Sequence, residues 1–304
     1  MYPAPTRIMT EVFATLPEKF YKGHRNTEWH QGQPGGGFAN SLLEGPSFDL
    51  QGNLYCVDIP FGRVFRISPQ GEFTLVTEYD GEPNGLKIHK DGRIFIADYK
   101  NGIMQLDPDT GTVTPFATRY RVEHFKAVND LVFASNGDLY FTDQGLTGLH
   151  DPTGRVFRIR ASDGQIDCLM DNIPSPNGLV LNETETVLYV AVTRANAIWR
   201  LPLMPDGGIA KAGNFIQMSG GGGPDGMALD AEGNIAVAHL ATGAWLFSRQ
   251  GIPMAWMVSC RGNHVTNMAY GGPDNKPLYM TESETGTIIT ARLDVPGRTM
   301  YSHM

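Results

Sequence analysis

Charge is sparse in this chain. Asp, Glu, Lys and Arg make up 18% of its 304 residues, against roughly 25% in ordinary soluble domains. The 24 Lys and Arg are outnumbered by 32 Asp and Glu, a net −8, and no basic cluster interrupts that balance. An extended nucleic-acid surface is therefore not expected. Cysteine is scarcer still: Cys56, Cys168 and Cys260 lie far apart without a Cys-x-x-Cys pair, which reads as reduced thiols in a cytoplasmic protein. No apolar run approaches the roughly 20 residues that span a bilayer. Met1-Tyr2-Pro3-Ala4-Pro5 lacks the basic-then-apolar character of a secretory leader, so no membrane association is expected. Gly-x-Ser-x-Gly and Ser-x-x-Lys are both missing, which removes the usual signatures of a serine nucleophile. His24, Glu28 and His30 do not have His-Glu-x-x-His spacing.

What is plentiful is punctuation, with 36 Gly and 20 Pro, as in a β protein rich in turns. It falls in a repeat. Glu44-Gly45-Pro46, Asn84-Gly85-Leu86, Asn129-Asp130-Leu131, Asn177-Gly178-Leu179, Asp225-Gly226-Met227 and Asn267-Met268-Ala269 each open a short apolar strand. Their first residues are separated by 40, 45, 48, 48 and 42 positions. Gly52, Gly92, Gly137 and Gly233 follow eight residues after the opening residue in four copies. A second strand comes next, such as Leu54-Tyr55-Cys56-Val57 or Leu139-Tyr140-Phe141-Thr142, and then a third, such as Arg63-Val64-Phe65-Arg66-Ile67. Four-stranded units at roughly this period predict a β-propeller, here all-β with six antiparallel blades. Copy six runs short, so Glu11-Val12-Phe13-Ala14-Thr15 is expected to complete it and close the ring. Residues 1–304 then form a single propeller domain, with a long loop at about 16–43 over the channel mouth.

The inner strand of each blade lines the channel, so Glu44, Asn84, Asn129, Asn177, Asp225 and Asn267 should face the axis at one level. Asn and Asp also suit turns, but a turn does not call for Glu. Glu44, Asn177 and Asp225 are therefore read as oxygen ligands for one hard divalent cation. Ca2+ suits such a set best, with Mg2+, Mn2+ or Zn2+ as alternatives. A second ring, Asp58, Asp98, Asp143 and His239, lies 14 residues after the opening residues, and Glu282 lies 15 after. A hairpin returns it to the same mouth, where Asp58 and Asp98 are expected to brace backbone. Tyr99, Gln144 and His239 are candidate substrate contacts. The loop from Gln144 to Gly154 adds His150 and Asp151 on the same face.

Leu43-Glu44-Gly45-Pro46, Asn129-Asp130-Leu131, Ser175-Pro176-Asn177-Gly178-Leu179, Gly223-Pro224-Asp225-Gly226-Met227 and Thr266-Asn267-Met268-Ala269-Tyr270-Gly271-Gly272-Pro273 resemble the senescence-marker-protein/gluconolactonase family, over roughly residues 40–295. The resemblance implies a six-bladed propeller with one catalytic divalent cation held by Glu44, Asn177 and Asp225. Asn129 matches an Asn that completes the coordination or touches substrate. It also implies hydrolysis of sugar-type lactones or, in a squid-type branch, of organophosphorus fluoridates. This chain departs from the pattern at Ala127, where regucalcin-like members have Arg, and at Ser283, where the squid-type enzyme has His. Ala228 and Ala269 replace the ligands of a second structural metal site, so one cation is expected.

The chemistry expected is metal-assisted hydrolysis of a small-molecule lactone, with Asp225 as general base. Two rival readings share the site: hydrolysis of organophosphates or other esters, and a non-catalytic, metal-dependent small-molecule-binding propeller.

Overall fold

The computed structural model describes residues 2–304. The six-bladed propeller is there, each blade an antiparallel sheet running outward from the axis. The innermost strands are Leu43–Phe48, Pro83–Ile88, Val128–Phe133, Pro176–Leu181, Gly223–Leu229 and Val265–Tyr270 for blades one to six. Blade six takes its outer strand from the other end of the chain. Glu11–Thr15 pairs antiparallel with Thr287–Arg292, Val12 opposite Ile289. An unexpected addition is Thr6–Met9, which lies parallel to Pro253–Val258 as a fifth strand of blade five.

The strands are apolar on both faces because each blade is packed between two others. Ala236, Leu246 and Met257 of blade five meet Met268, Leu278 and Ile289 of blade six in one such layer. Each fully buried Leu, Ile or Met side chain contributes about 1.5–3 kcal/mol, so blade stacking, repeated round the ring, carries the fold. Cys56 is buried, Cys168 half-buried and Cys260 exposed, all free. Among the described residues no helix is long and apolar enough to cross a membrane.

One local feature recurs in all six inner strands. Pairing with the second strand slips by one residue at or beside the opening residue: between Glu44 and Ser47, Pro83 and Gly85, Val128 and Leu131, Pro176 and Leu179, Pro224 and Met227, and Val265 and Asn267. Such bulges bend a strand and re-aim a side chain. Here they turn the opening residues out of the blade plane and toward the axis. The glycine that follows is a packing necessity rather than a turn residue. A Cβ on Gly178 would stand 2.5 Å from the Asp225 carbonyl, and one on Gly226 would stand 2.0 Å from Asn267 Oδ1. Neighbouring inner strands touch at these points.

The far end of the channel is closed by the C-terminal segment. Arg298 donates to the carbonyls of Leu181 and Asn182 and pairs with Glu185. Tyr301 stacks on Phe133, and Ser302 donates to the Phe48 carbonyl.

Candidate active site

At the near mouth the inner strands line a cavity of about 440 Å³, with Glu44, Asn84, Asn129, Asn177 and Asp225 in its wall. The loop at 16–43 supplies Trp29, Gln33, Pro34, Gly35, Gly37, Phe38 and Leu42 to the same wall. Tyr99, Gln144, Thr193, Arg194 and His264 complete the rim. Each of the five inner side chains is at least nine-tenths buried, so their oxygens face one another and the cavity rather than bulk water.

The sixth opening residue is placed differently. Asn267 lies beneath the cavity wall, donating from Nδ2 to Glu44 Oε2 (2.8 Å) and Asp130 Oδ2 (3.3 Å). It braces the cavity instead of lining it. Asp130 is a third buried carboxylate on the axis, and its Oδ1 accepts from the Leu131 amide. It stands where four copies have glycine, and that break in the repeat is the sequence signal for it.

Three carboxylates buried together cannot all be charged at ordinary cost. Burial first, then the charges of Asp225 and Asp130, hold the Glu44 carboxyl well above its usual range. Burial and Asp130 push Asp225 up to about 8, against the opposing pull of the Asn177 amide and Arg194. Burial also raises Asp130, with Lys87 pulling the other way. A divalent cation would relieve this repulsion, and the donors suit one. Both Glu44 hydrogen bonds fall on Oε2. Asn129 Nδ2 is committed to Gln144 Oε1 at 2.8 Å, which leaves the amide oxygen for the cavity. Among the described residues no three His, Cys, Asp or Glu side chains gather as a metal cage. Two carboxylates and several amides therefore make an oxygen-only set that suits a hard ion.

The second ring does not reach the cavity. Asp58 accepts from the Leu42 amide and pairs with Arg63; Asp143 accepts from the Ala127 amide and pairs with Arg155. Asp98 accepts from Tyr79 Oη and the Glu82, Lys100 and Asn101 amides. In these three blades the acid grips the amide two residues before the opening residue and so fixes the entry of the inner strand. Glu282 binds Thr285 and the Glu284 amide. His239 was expected on substrate, but it is 1% exposed. Its Nδ1 is bonded to Thr242 Oγ1 and its Nε2 to Asn196 Oδ1. Both ring nitrogens are spent inside blade five and its neighbour, so this expectation is corrected. Tyr99 and Gln144 do line the cavity, Tyr99 Oη donating to the Gly145 carbonyl and Gln144 Nε2 to Ser175 Oγ.

Of the loop histidines, His30 is structural too. His30 is buried between Thr27 Oγ1 and the Phe38 carbonyl, and Glu28 points to solvent. Arg194 and His264 were not singled out from the sequence. Arg194 sits two residues after Val192, the one position where the second ring lacks a polar side chain.

The model of the SMP-30/gluconolactonase/LRE-like region matches residues 42–284. A lactonase, drp35, of Staphylococcus aureus strain MW2 is 33% identical over 228 residues, covering 70% of this chain and 68% of that protein. The corresponding Staphylococcus epidermidis lactonase is 31% identical over 225 residues, with the same coverage of each. Among solved structures, a calcium-binding regucalcin from Agrobacterium tumefaciens superposes with a TM-score of 0.79 at 22% identity, over 99% of this chain and 100% of that one. A gluconolactonase from Xanthomonas campestris gives 0.74 at 18% identity, over 98% and 99%. At such identities these structures speak for the fold.

Proposed function

Because the chain belongs to the SMP-30/gluconolactonase/LRE-like family, we propose that it is a divalent-metal-dependent hydrolase of lactones. The observation that carries this reading is the pair of buried carboxylates, Glu44 and Asp225, set among amide side chains at the base of an open cavity. The relatives named lactonases supply the reaction class.

Glu44, Asn177, Asp225 and Asn129 would hold the cation, Ca2+ by the hardness of the donors; bound there, it supplies Lewis-acid polarisation of the lactone carbonyl. The remaining work falls to the chain. Asp225 takes a proton from the attacking water as its oxygen bonds to the carbonyl carbon. The ring C–O bond then breaks, and Asp225 returns the proton to the departing ring oxygen, giving the open hydroxy acid. Deprotonated beside the bound cation, Asp225 would be free to accept that proton. The Asn177 amide beside Asp225 favours its charged form. Gln144 holds Asn129 in place, and Trp29, Phe38 and Leu42 exclude water from one side of the cavity.

Acid release from a panel of lactones, with and without chelator, tests this for the wild type and Asp225→Asn. Turnover that disappears with chelator and falls about 100- to 10,000-fold in the variant is expected. Tight ligand binding by calorimetry without turnover in any of the four metals would identify a binding propeller instead.

A further inference from the structure

The channel cavity is not alone at its mouth. A second chamber of about 510 Å³ adjoins it, and the two share Gln33, Pro34, Tyr99, Gln144 and Arg194 as a common wall. The linings differ sharply in charge. Glu44 and Asp225 occupy the channel, whereas the side chamber has no carboxylate in its wall. Its outer part is the loop after Gln144, where Leu146 is 63% exposed and Leu149 72%. Large apolar side chains so open to solvent in a concave wall have a use only when something covers them.

That loop is built to keep its shape. Thr147 Oγ1 donates to the Gln144 carbonyl and accepts from the Ser175 amide. Gly148 and Asp151 exchange backbone hydrogen bonds, and Tyr99 Oη holds the Gly145 carbonyl. The chamber is preformed.

Arg194 stands where the two chambers meet. It is the one Lys or Arg in either wall, it is exposed, and among the described residues it has neither a hydrogen bond nor an ion pair. Its backbone is held by the turn Thr193–Ala195, whose Thr193 Oγ1 donates to the Pro224 carbonyl. Its stem lies against Gly148, where a Cβ would come within 3.6 Å of Arg194 Cγ. An unpaired guanidinium on a stem held in this place, between an acidic chamber and one without carboxylates, is a selector for anions.

We propose that the side chamber is a second substrate subsite and that Arg194 binds a carboxylate there. The ligand class is a lactone carrying a carboxylate-ended apolar arm, with the arm against Leu146 and Leu149. A phosphate dianion would call for further donors, and no Lys or helix N-terminus accompanies Arg194. With the carboxylate held at Arg194, the ring end of the substrate is left for the channel and Glu44 and Asp225. The identity of the ring as a lactone rests on the reading above; the anionic subsite rests on Arg194 and its chamber.

The test uses two matched γ-lactones whose alkyl arm ends in a carboxylate or in the neutral primary amide. Wild-type kcat/KM should favour the carboxylate about tenfold or more, as a charge-assisted hydrogen bond would. Arg194→Met should bring that ratio close to one, Arg194→Lys should retain part of it, and Arg249→Met, a remote surface change, should leave it alone. Equal rates for the two lactones in the wild type, or an unchanged ratio in Arg194→Met, would overturn the subsite. If neither lactone is hydrolysed with Ca2+, Mg2+, Mn2+ or Zn2+, the hydrolase reading fails by itself. Calorimetry with the same pair then decides the subsite: tighter binding of the carboxylate, lost in Arg194→Met, supports it, and equal binding overturns it.

Discussion

The two mouths of the channel are made by the same six strands, yet they share almost no chemistry. At the near mouth the strands begin with Glu44, Asn84, Asn129, Asn177 and Asp225 around a cavity of about 440 Å³. At the far mouth the same strands contribute Ile88, Phe133, Leu181, Leu229 and Tyr270, and residues 298–304 lie over them, leaving about 110 Å³. A strand six residues long can thus be polar and strained at one end, apolar and covered at the other. The near mouth concentrates repulsion among Glu44, Asp130 and Asp225. The far mouth ties blades one, three and four together through Ser302, Tyr301 and Arg298. Stability and chemistry are therefore expected to separate along the axis.

Four experiments would break that separation or sharpen it. Glu44→Gln should lower lactone turnover about 100-fold or more and raise the cation concentration needed. Scanning calorimetry should show its cation-free form melting higher than wild type, because the cost of burying an ionisable carboxyl beside two others is gone. Tyr301→Ala, at the opposite end, should cost about 3 kcal/mol in urea unfolding with kcat unchanged. A parallel loss of kcat would show that the ends are coupled.

The third experiment reads pH. The unfolded Asp225 releases its proton near 4, while the folded, cation-free one keeps it to about 8. Between those values the folded state holds more protons, so stability falls as pH rises. The melting temperature of chelated protein should accordingly drop from about pH 5 to 8, and added Ca2+ should restore most of the loss at pH 8 and little at pH 5. A flat profile would remove the repulsion argument. The smallest effect belongs to His239→Gln. It should cost about 1 kcal/mol through the lost bonds to Thr242 and Asn196 and leave kcat/KM within twofold.

The repeat made the architecture legible because each copy carries its own turn glycine and its own polar opening residue. Even the closing strand Glu11–Thr15 could be read, from the shortness of copy six. The inner ring was legible for the same reason, although Asn267 takes a bracing position that spacing cannot distinguish from a lining one. The second ring misled where His239 was concerned: a return to the same mouth by register does not say whether the side chain points inward to the cavity or back into its own blade. Asn-Gly and Asp-Gly look like turn pairs but sit within strands, since their glycines answer to the neighbouring blade. Asp130 is flagged by the break it makes in the glycine repeat, but its contact with Asn267 and that of Arg194 with Gly148 run between residues far apart in the chain, and no local pattern encodes those.

The strand that finishes blade six has a consequence for the order of events during synthesis. Glu11–Thr15 is made long before its partner Thr287–Arg292. Thr6–Met9 waits likewise for Pro253–Val258. Contacts of such long separation form slowly. Until then two early strands remain with open edges, and five blades stand as an unclosed arc with an apolar face at each end. Such edges invite pairing with other chains. The same clasp that makes the finished ring cooperative leaves the nascent chain in need of protection until both partner strands have been made.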